Sequence, residues 1–257
     1  MLDTVPLWLV FLLTLAFVLL AILVGVRLGL RQLRRNEGLP EAPIGSIVGA
    51  LLGLLAFILT FTFGMASNRF DARRQLLLDE VNAIGTTALR AQVLPEPERT
   101  DCLDLFRKYV DLRAEAIHDP SHVMQVLAAS DSLQDQLWAR AVAISGRMNS
   151  PIGALFVSSL NEVIDLQTSR KTVALLYRIP GAIWVGLGVV TFLAMGTVGF
   201  HFGVSGKPHW GLSFILALTF STVILLITLL DRPQQDLLKV NQGAMLELQQ
   251  KLHRPNP

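Results

Sequence analysis

Two histidines four residues apart are the first candidates for metal chemistry in this sequence. His118 and His122 are separated by Asp119 and Pro120. Proline interrupts a helix, so we predict that the two imidazoles do not share one helix face. We interpret them as loop histidines rather than as metal ligands, and the sequence predicts no metal site.

Two pairs of helical carboxylates are the candidates for acid–base chemistry. Asp79 precedes Glu80 directly, and Glu162 lies three residues before Asp165. Such side chains are more commonly solvated or paired with arginine than catalytic.

Cys102 is the only cysteine, which excludes an intramolecular disulfide and a multi-cysteine zinc site. No zinc-protease, nucleophile-elbow, Walker or dinucleotide motif occurs. We therefore predict a protein that is not an enzyme and has no cofactor.

The composition indicates a multi-pass membrane protein. Of the 257 residues, 52% are hydrophobic and 16% are charged. The mean hydropathy is +0.50, which is high for a soluble domain. The net charge of +2 gives no sign of a nucleic-acid partner. The expected partner is the lipid bilayer.

Four uncharged stretches are long enough to cross a bilayer, which requires about 20 apolar residues. They are residues 6–26, 44–65, 179–200 and 210–230. Four buried core helices are the alternative, but soluble cores rarely contain four uncharged runs of this length. The first stretch lacks the basic start and short apolar run of a cleaved signal peptide, so we predict a retained helix.

The residues between the second and third spans form the only sizeable soluble segment. Apolar residues recur at helical spacing along residues 67–178, and no run alternates with a period of two. The predicted fold class is all-α: four transmembrane helices (2+2) with a helical soluble domain inserted between helices 2 and 3. The predicted domains are residues 1–66, with helices 1 and 2 and a basic loop; the helical soluble domain 67–178; 179–232, with helices 3 and 4; and the short helical tail 233–257.

The tail has two interpretations. Leu238, Asn241, Met245, Leu248 and Leu252 follow heptad spacing. An asparagine at such a position can fix the register of a coiled coil. Because only two heptads are present, we favour a short amphipathic helix that lies on its own subunit.

The distribution of basic residues gives two conflicting topologies. The positive-inside rule places the arginine-rich loop at residues 27–35 in the cytoplasm. The opposite flanks of the spans are also basic, at Arg69, Arg73, Arg74, Arg170, Lys171, Arg178, Arg232 and Lys239. Charge alone leaves the side of residues 67–178 open.

A stripe on the second span has an unusual composition. Gly45, Gly49, Gly53, Phe57 and Phe61 follow at steps of four and share one helix face. Glycines allow another helix to approach closely, so we predict helix packing at Gly45 and Gly49. The face could pack against another span, or it could line a pore in which the phenylalanine rings form a constriction that gates by dewetting.

The stretch "FGMASNRFDARRQ" at residues 63–75 resembles the segment of bestrophins in which the second membrane helix leaves the bilayer. Bestrophins are pentameric ion channels. Apolar side chains about 8, 12 and 16 residues before the corresponding arginine form their narrow neck. Counting back from Arg69 gives Phe61, Phe57 and Gly53. The two phenylalanines fit this pattern, whereas Gly53 departs from it and would leave a wider ring.

Nearly the whole chain resembles the bacterial DUF4239 membrane proteins, often called bestrophin-like. The matching stretches are "ASNRFDARRQ", "NAIGT", "LRAQVLPEPER", "YVDLR", "LNEVIDL" and "DRP". The resemblance implies a bacterial inner-membrane protein with residues 67–178 in the cytoplasm, against the charge of the first loop. Calcium gating is not implied, because the acidic calcium clasp of animal bestrophins has no counterpart.

The resemblance implies an oligomeric, pentameric ion channel for inorganic ions. Arg69, Arg73 and Arg74 would lie at the inner mouth or at a subunit contact. There they would attract anions or pair with Asp71 or Asp79 of another subunit. The alternative is a membrane-anchored helical interaction or sensing protein without a pore.

Overall fold

The computed structural model describes residues 5–35, 41–118, 123–147, 150–175, 177–206, 208–232 and 241–254. No strand occurs among these residues, and the predicted all-α fold class is confirmed. They form the helices α1 (Leu7–Arg34), α2 (Glu41–Ala91), α3 (Glu98–His118), α4 (Val123–Arg147), α5 (Pro151–Leu175), α6 (Gly181–Val204), α7 (Trp210–Asp231) and α8 (Gly243–His253).

Four of these helices, α1, α2, α6 and α7, are long and apolar enough to cross a membrane. The helices α3, α4 and α5 lie between the second and third of them in sequence, so the predicted 2+2 arrangement is confirmed. Helix α1 continues beyond the predicted limit at residue 26 to Arg34. Helix α6 starts at Gly181 and not at residue 179, because Pro180 precedes it with an extended backbone, φ −53° and ψ 137°.

Helix α2 is unusually long, with 51 residues. At a rise of 1.5 Å per residue it extends about 75 Å, whereas the hydrocarbon core of a bilayer is about 30 Å thick. Its apolar half ends near Met65, and charged residues begin at Arg69. The sequence has no proline from Ile44 to Leu94, so nothing in that stretch forces the helix to stop where its composition changes.

The chain divides into two compact units. The first, here called the apolar unit, comprises residues 1–70 and 178–238. The second, here called the polar unit, comprises residues 71–177 and 239–257.

The apolar unit is held together by close packing of α1 on α6. A Cβ atom built at Gly25 or Gly199 would overlap the backbone of the facing helix, at the carbonyl oxygens of Gly196 and Ile22 respectively. A Cβ atom at Gly29 would lie 2.8 Å from the Cα of Gly203. These glycines therefore let the two backbones meet directly, which is the usual way for membrane helices to gain packing energy.

The polar unit has its own apolar core. Residues of α2, α3, α4 and α5 contribute to it, among them Leu77, Phe106, Leu137, Phe156 and Leu160. Large side chains from four helices are fully buried here, so this unit has the apolar interior expected of a folded domain.

Helix α8 packs on this core of the polar unit. Met245 and Leu248 are buried in it, and a Cδ atom of Leu248 lies 3.6 Å from a Cβ built at Gly85. Arg107 of α3 donates a hydrogen bond from Nε to the carbonyl of Leu252, at 3.0 Å. The amphipathic interpretation of the tail is confirmed, while Leu238 lies outside the described residues.

Candidate functional site

The glycine–phenylalanine stripe of α2 is bare within the chain. Apart from the adjoining residues and backbone of α2 itself, no atom of the described residues lies within 4 Å of a Cβ built at Gly45, Gly49 or Gly53. The side chains of Phe57 and Phe61 are 70% and 63% exposed. Within the described residues, the stripe therefore does not pack against another span of its own chain. Packing of a second copy at Gly45 and Gly49 stays a prediction.

The opposite face of α2 packs against the other helices of the apolar unit. Leu55 is 1% exposed and lies in the cluster formed with α1, α6 and α7. Ala66 is buried with Ile179 and Ile227. Thr62, also buried, donates its hydroxyl to the carbonyl of Ile58 and so leaves no unmet donor. One face of α2 is thus anchored, and the other is free to meet lipid, water or another subunit.

Among the four candidate spans, α2 is the least covered by its own chain. In its most apolar window of 18 residues, 17% of the residues are buried. The corresponding values are 33% for α1, 33% for α6 and 44% for α7. The helix that carries the predicted neck is therefore also the helix with most surface left for partners outside the chain.

Arg69, predicted for the inner mouth or a subunit contact, has a partner in its own chain. Its Nη1 lies 3.3 Å from Oδ1 of Asp231, the last residue of α7. The same carboxylate oxygen accepts the backbone N–H of Ile179 at 3.1 Å. Asp231 is buried, so this pair joins the middle of α2 to the end of α7 and to the chain that leads into α6.

The other two arginines of that group differ from each other. Arg73 is buried, whereas Arg74 is exposed. Asp79, named as a possible partner, accepts a hydrogen bond from Gln75 at 2.9 Å within α2. The three arginines therefore do not form one exposed basic cluster, and any role at an inner mouth stays a prediction.

The "DRP" stretch at the end of α7 has a structural role that its sequence did not reveal. Arg232 follows Asp231 and is buried. Its Nη1 donates a hydrogen bond to the carbonyl of Val5, at 2.7 Å. The sequence did contain a signal for this role, because an acid and a base follow directly after an uncharged span. Ionisable groups at such positions are costly unless they are paired.

A second polar cluster lies inside the polar unit and centres on Glu80, which is fully buried. Its carboxylate accepts hydrogen bonds from Arg113 at 3.1 Å, from Tyr109 at 3.1 Å and from Arg170. Gln134 donates in turn to the Tyr109 hydroxyl at 3.3 Å. These contacts join α2 to α3 and α5, with α4 attached through Tyr109. The prediction that helical carboxylates of this chain pair with arginine is confirmed at Glu80.

The charges in this cluster compensate one another. Burial alone would raise the pKa of Glu80, but the positive charges of Arg113 and Arg170, with hydrogen bonds from Arg170 and Tyr109, outweigh it and hold that pKa below its ordinary value. Burial, followed by the negative charge of Glu80, raises the pKa of Tyr109. Glu80 is thus ionised and fully paired, which suits a structural role better than proton transfer.

The remaining candidates for chemistry do not form a site within the described residues. In that part of the chain, no group of three His, Cys, Asp or Glu side chains could hold a metal ion. His122, one of the two spaced histidines, lies outside the described residues. Cys102 is buried, and burial raises the pKa of its thiol to about 11, so it is a poor nucleophile.

The described fold is all-α, with four helices long and apolar enough to cross a membrane and three further helices inserted between the second and third of them. The sequence matches the family model for the Bestrophin-like domain over residues 6–245. The chain therefore belongs to the bestrophin-like family, and the resemblance predicted from the sequence is confirmed. No curated protein matches the chain.

Solved structures share the fold at low sequence identity. One is a point variant of a bacterial bestrophin homologue from Klebsiella pneumoniae, with a TM-score of 0.68 and 16% identity over 94% of this chain and 97% of that chain. A second variant of the same homologue has a TM-score of 0.68 and 17% identity, covering 94% and 95% of the two chains. A crystal structure described as a membrane protein reaches 0.69 at 16% identity, covering 94% and 97%.

Proposed function

We propose that this protein is a homo-oligomeric ion channel whose pore is lined by α2, with Phe57 and Phe61 as its neck. One observation carries the proposal: α2 is the least covered span, and the face left bare is the one that carries both phenylalanines. Membership of the bestrophin-like family supports it. By resemblance to bestrophins, we expect five copies around the pore.

The proposed neck would act by excluding water. Phe57 and Phe61 lie one helical turn apart, so their rings would form two successive collars about 6 Å apart along the axis. An apolar collar that expels water removes the hydration of an ion without supplying replacement ligands. Gly53, one turn before Phe57, would leave the third level wide.

A membrane-anchored interaction protein without a pore is the second candidate. It is favoured by apolar side chains that the polar unit leaves exposed, among them Val93, Met124 and Val142. Exposed apolar groups of this kind commonly mark protein contacts. The oligomeric state and ion flux together separate the two candidates.

The test is to purify the full chain in mild detergent, measure the mass of the particle and then reconstitute it. Five chains of 28.3 kDa would give about 140 kDa of protein. We expect a stable oligomer and ion flux in proteoliposomes above that of empty vesicles. A monomer without flux at any salt or voltage would reject the channel and favour the interaction protein.

We also propose that the polar unit lies in the cytoplasm of a bacterial cell, with the apolar unit in the inner membrane. Cys102 cannot report this by labelling, because it is buried and its thiol has a raised pKa. Ser132 is exposed on α4, so Ser132→Cys in a Cys102→Ala background provides an accessible thiol.

We expect a membrane-impermeant maleimide to label Ser132→Cys only after the inner membrane is opened. The denatured protein should react fully in both samples, which controls for burial within an oligomer. Full labelling in spheroplasts with an intact inner membrane would place the polar unit outside. The arginine-rich first loop would then be cytoplasmic, as the positive-inside rule predicts.

A further inference from the structure

The outer surface of α5, in the polar unit, is left with negative charge. The two bases of α5, Arg170 and Lys171, are paired with acids of α2 and α4. Its two acids, Glu162 and Asp165, are exposed and make no ion pair or hydrogen bond with another described residue. They lie three residues apart and therefore share one side of the helix. Glu162 and Asp165 are here called the acidic patch.

The end of α8, also in the polar unit, carries the opposite charge. Lys251 lies in the last turn and Arg254 directly follows the helix. Both are exposed and make no ion pair with another described residue. His253, between them, is held by Asp111 of α3, with Nε2 2.8 Å from Oδ1. Glu247 is also exposed, so the net charge of this exposed surface stays positive. Lys251 and Arg254 are here called the basic patch.

The two patches differ from the other exposed charges of the polar unit. Among its described residues, no other two exposed acids and no other two exposed bases lie within one helical turn without an ion-pair partner. Neighbouring charges are otherwise paired across helices, as in Arg140–Asp101 and Arg147–Glu98. Like charges one turn apart destabilise a helix unless they are compensated. Two such patches of opposite sign therefore favour compensation from outside the chain.

The helices that carry the patches flank an exposed strip of α2. Helix α8 packs on α2 at Gly85. Helix α5 contacts it at Arg90, whose Nη1 donates a hydrogen bond to the carbonyl of Leu155 at 2.9 Å. These two positions lie about 140° apart around α2. Leu89 and Asn82, both exposed, lie between them, at about 40° and 60° from Gly85. The basic and acidic patches thus belong to opposite sides of the strip.

We infer that the polar units of neighbouring copies of this chain meet through these patches, with Glu162 and Asp165 of one copy paired with Lys251 and Arg254 of the next. The inference rests on the proposed function, which requires a homo-oligomer. Copies in an oligomer are commonly related by a rotation axis. An axis beside the exposed strip and parallel to α2 brings the α8 side of each copy next to the α5 side of its neighbour. Opposite charges then face each other at every contact, which favours this arrangement over others.

The test is the stability of the oligomer of the full chain in mild detergent at about 50 mM salt. The measured quantity is the protein concentration at which half of the oligomer dissociates. Glu162→Lys/Asp165→Lys and Lys251→Glu/Arg254→Glu each replace attraction by repulsion, so each should raise this concentration about tenfold. The variant with all four changes restores opposite charges in reversed order. It should return to within about threefold of the unchanged protein.

A matched control is Asp135→Lys/Glu115→Lys. It changes the net charge by the same amount, at exposed acids of α4 and α3 that have no ion-pair partner among the described residues. It should leave the dissociation concentration within about twofold of the unchanged protein. Near 1 M salt the effects of both patch variants should shrink, because screening then acts over about 3 Å.

A pair of cysteines tests the contact directly. In a Cys102→Ala background, Asp165→Cys with Arg254→Cys should give a ladder of linked copies when the oligomer is treated with a short thiol cross-linker. Either cysteine alone can link at most two copies.

The outcomes separate this inference from the proposed function. An intact oligomer without a ladder, patch variants that weaken it no more than the control, or a four-residue variant no more stable than the two-residue ones would overturn the inference. The channel proposal would then stand. A monomeric unchanged protein would instead refute the proposed function, and the inference would fall with it.

Discussion

The contact between α1 and α6 and the bare stripe of α2 both contain glycines at steps of four, yet only one of them is filled within the chain. Gly25 lies against the backbone of Gly196, Gly199 against that of Ile22, and Gly29 against that of Gly203. Gly45, by contrast, has nothing within 4 Å of a Cβ built on it, and Gly49 and Gly53 share that environment. Glycine spacing therefore predicts that a close approach is possible, and the rest of the chain decides whether its partner is internal.

The largest effect should come from filling the α1–α6 contact. A leucine at Gly199 would place its Cβ against the backbone of Ile22, where neither helix can yield without separating. We expect Gly199→Leu to cost more than about 4 kcal/mol and to abolish folded protein. The measurement is the yield of monodisperse protein in detergent and its thermal unfolding.

Gly45→Leu is the matched control, because the same side chain is added at a glycine without neighbours. It should leave the folded chain intact. Equal yields and melting temperatures for Gly199→Leu and the unchanged protein would show that the α1–α6 packing is not as tight as the structure has it.

A smaller effect should separate the two faces of α2. Leu55 is 1% exposed and Phe57 is 70% exposed, two residues apart on one helix. We expect Leu55→Ala to lower the free energy of unfolding by about 2–5 kcal/mol. Phe57→Ala should change it by less than about 1 kcal/mol. Thermal unfolding of both variants checks this, and a larger loss for Phe57→Ala would show that its ring packs in a subunit interface.

The smallest effect on the folded chain should come from the glycines of the bare stripe. If a second copy packs at Gly45 and Gly49, Gly45→Leu and Gly49→Leu should weaken the oligomer by forcing backbones apart, with the helix content unchanged. Particle mass against detergent concentration measures this. An unaltered oligomer in both variants would mean that these glycines face lipid or open space.

Much of the fold could be predicted from local patterns, because hydropathy and helical period are local properties. The four spans and the shared face of Phe57 and Phe61 are of this kind. The α1–α6 contact also had a local signal, since Gly25 and Gly29 are four apart, as are Gly199 and Gly203. This contact was not predicted, because Arg27 lies between Gly25 and Gly29 and the predicted first span ended before it, at residue 26.

The polar pairs could not be predicted, because their partners are distant in sequence. Asp231 is 162 residues from Arg69, and Glu80 is 90 residues from Arg170. Charge spacing along a helix does not encode which helix comes to lie beside it. For the proposed channel the Arg69–Asp231 pair matters most, because it gives Arg69 a partner within its own chain.

The most direct test of the proposed neck is ion flux through Phe57→Ala/Phe61→Ala in proteoliposomes, beside the unchanged protein and Leu55→Ala. Removing both rings should widen and wet the two collars and lower the barrier to ions. We predict that the double variant forms the same oligomer and conducts several times more than the unchanged protein. A correctly assembled double variant whose flux equals that of the unchanged protein, or empty-vesicle flux from both, would contradict the assignment of Phe57 and Phe61 as the neck of a pore.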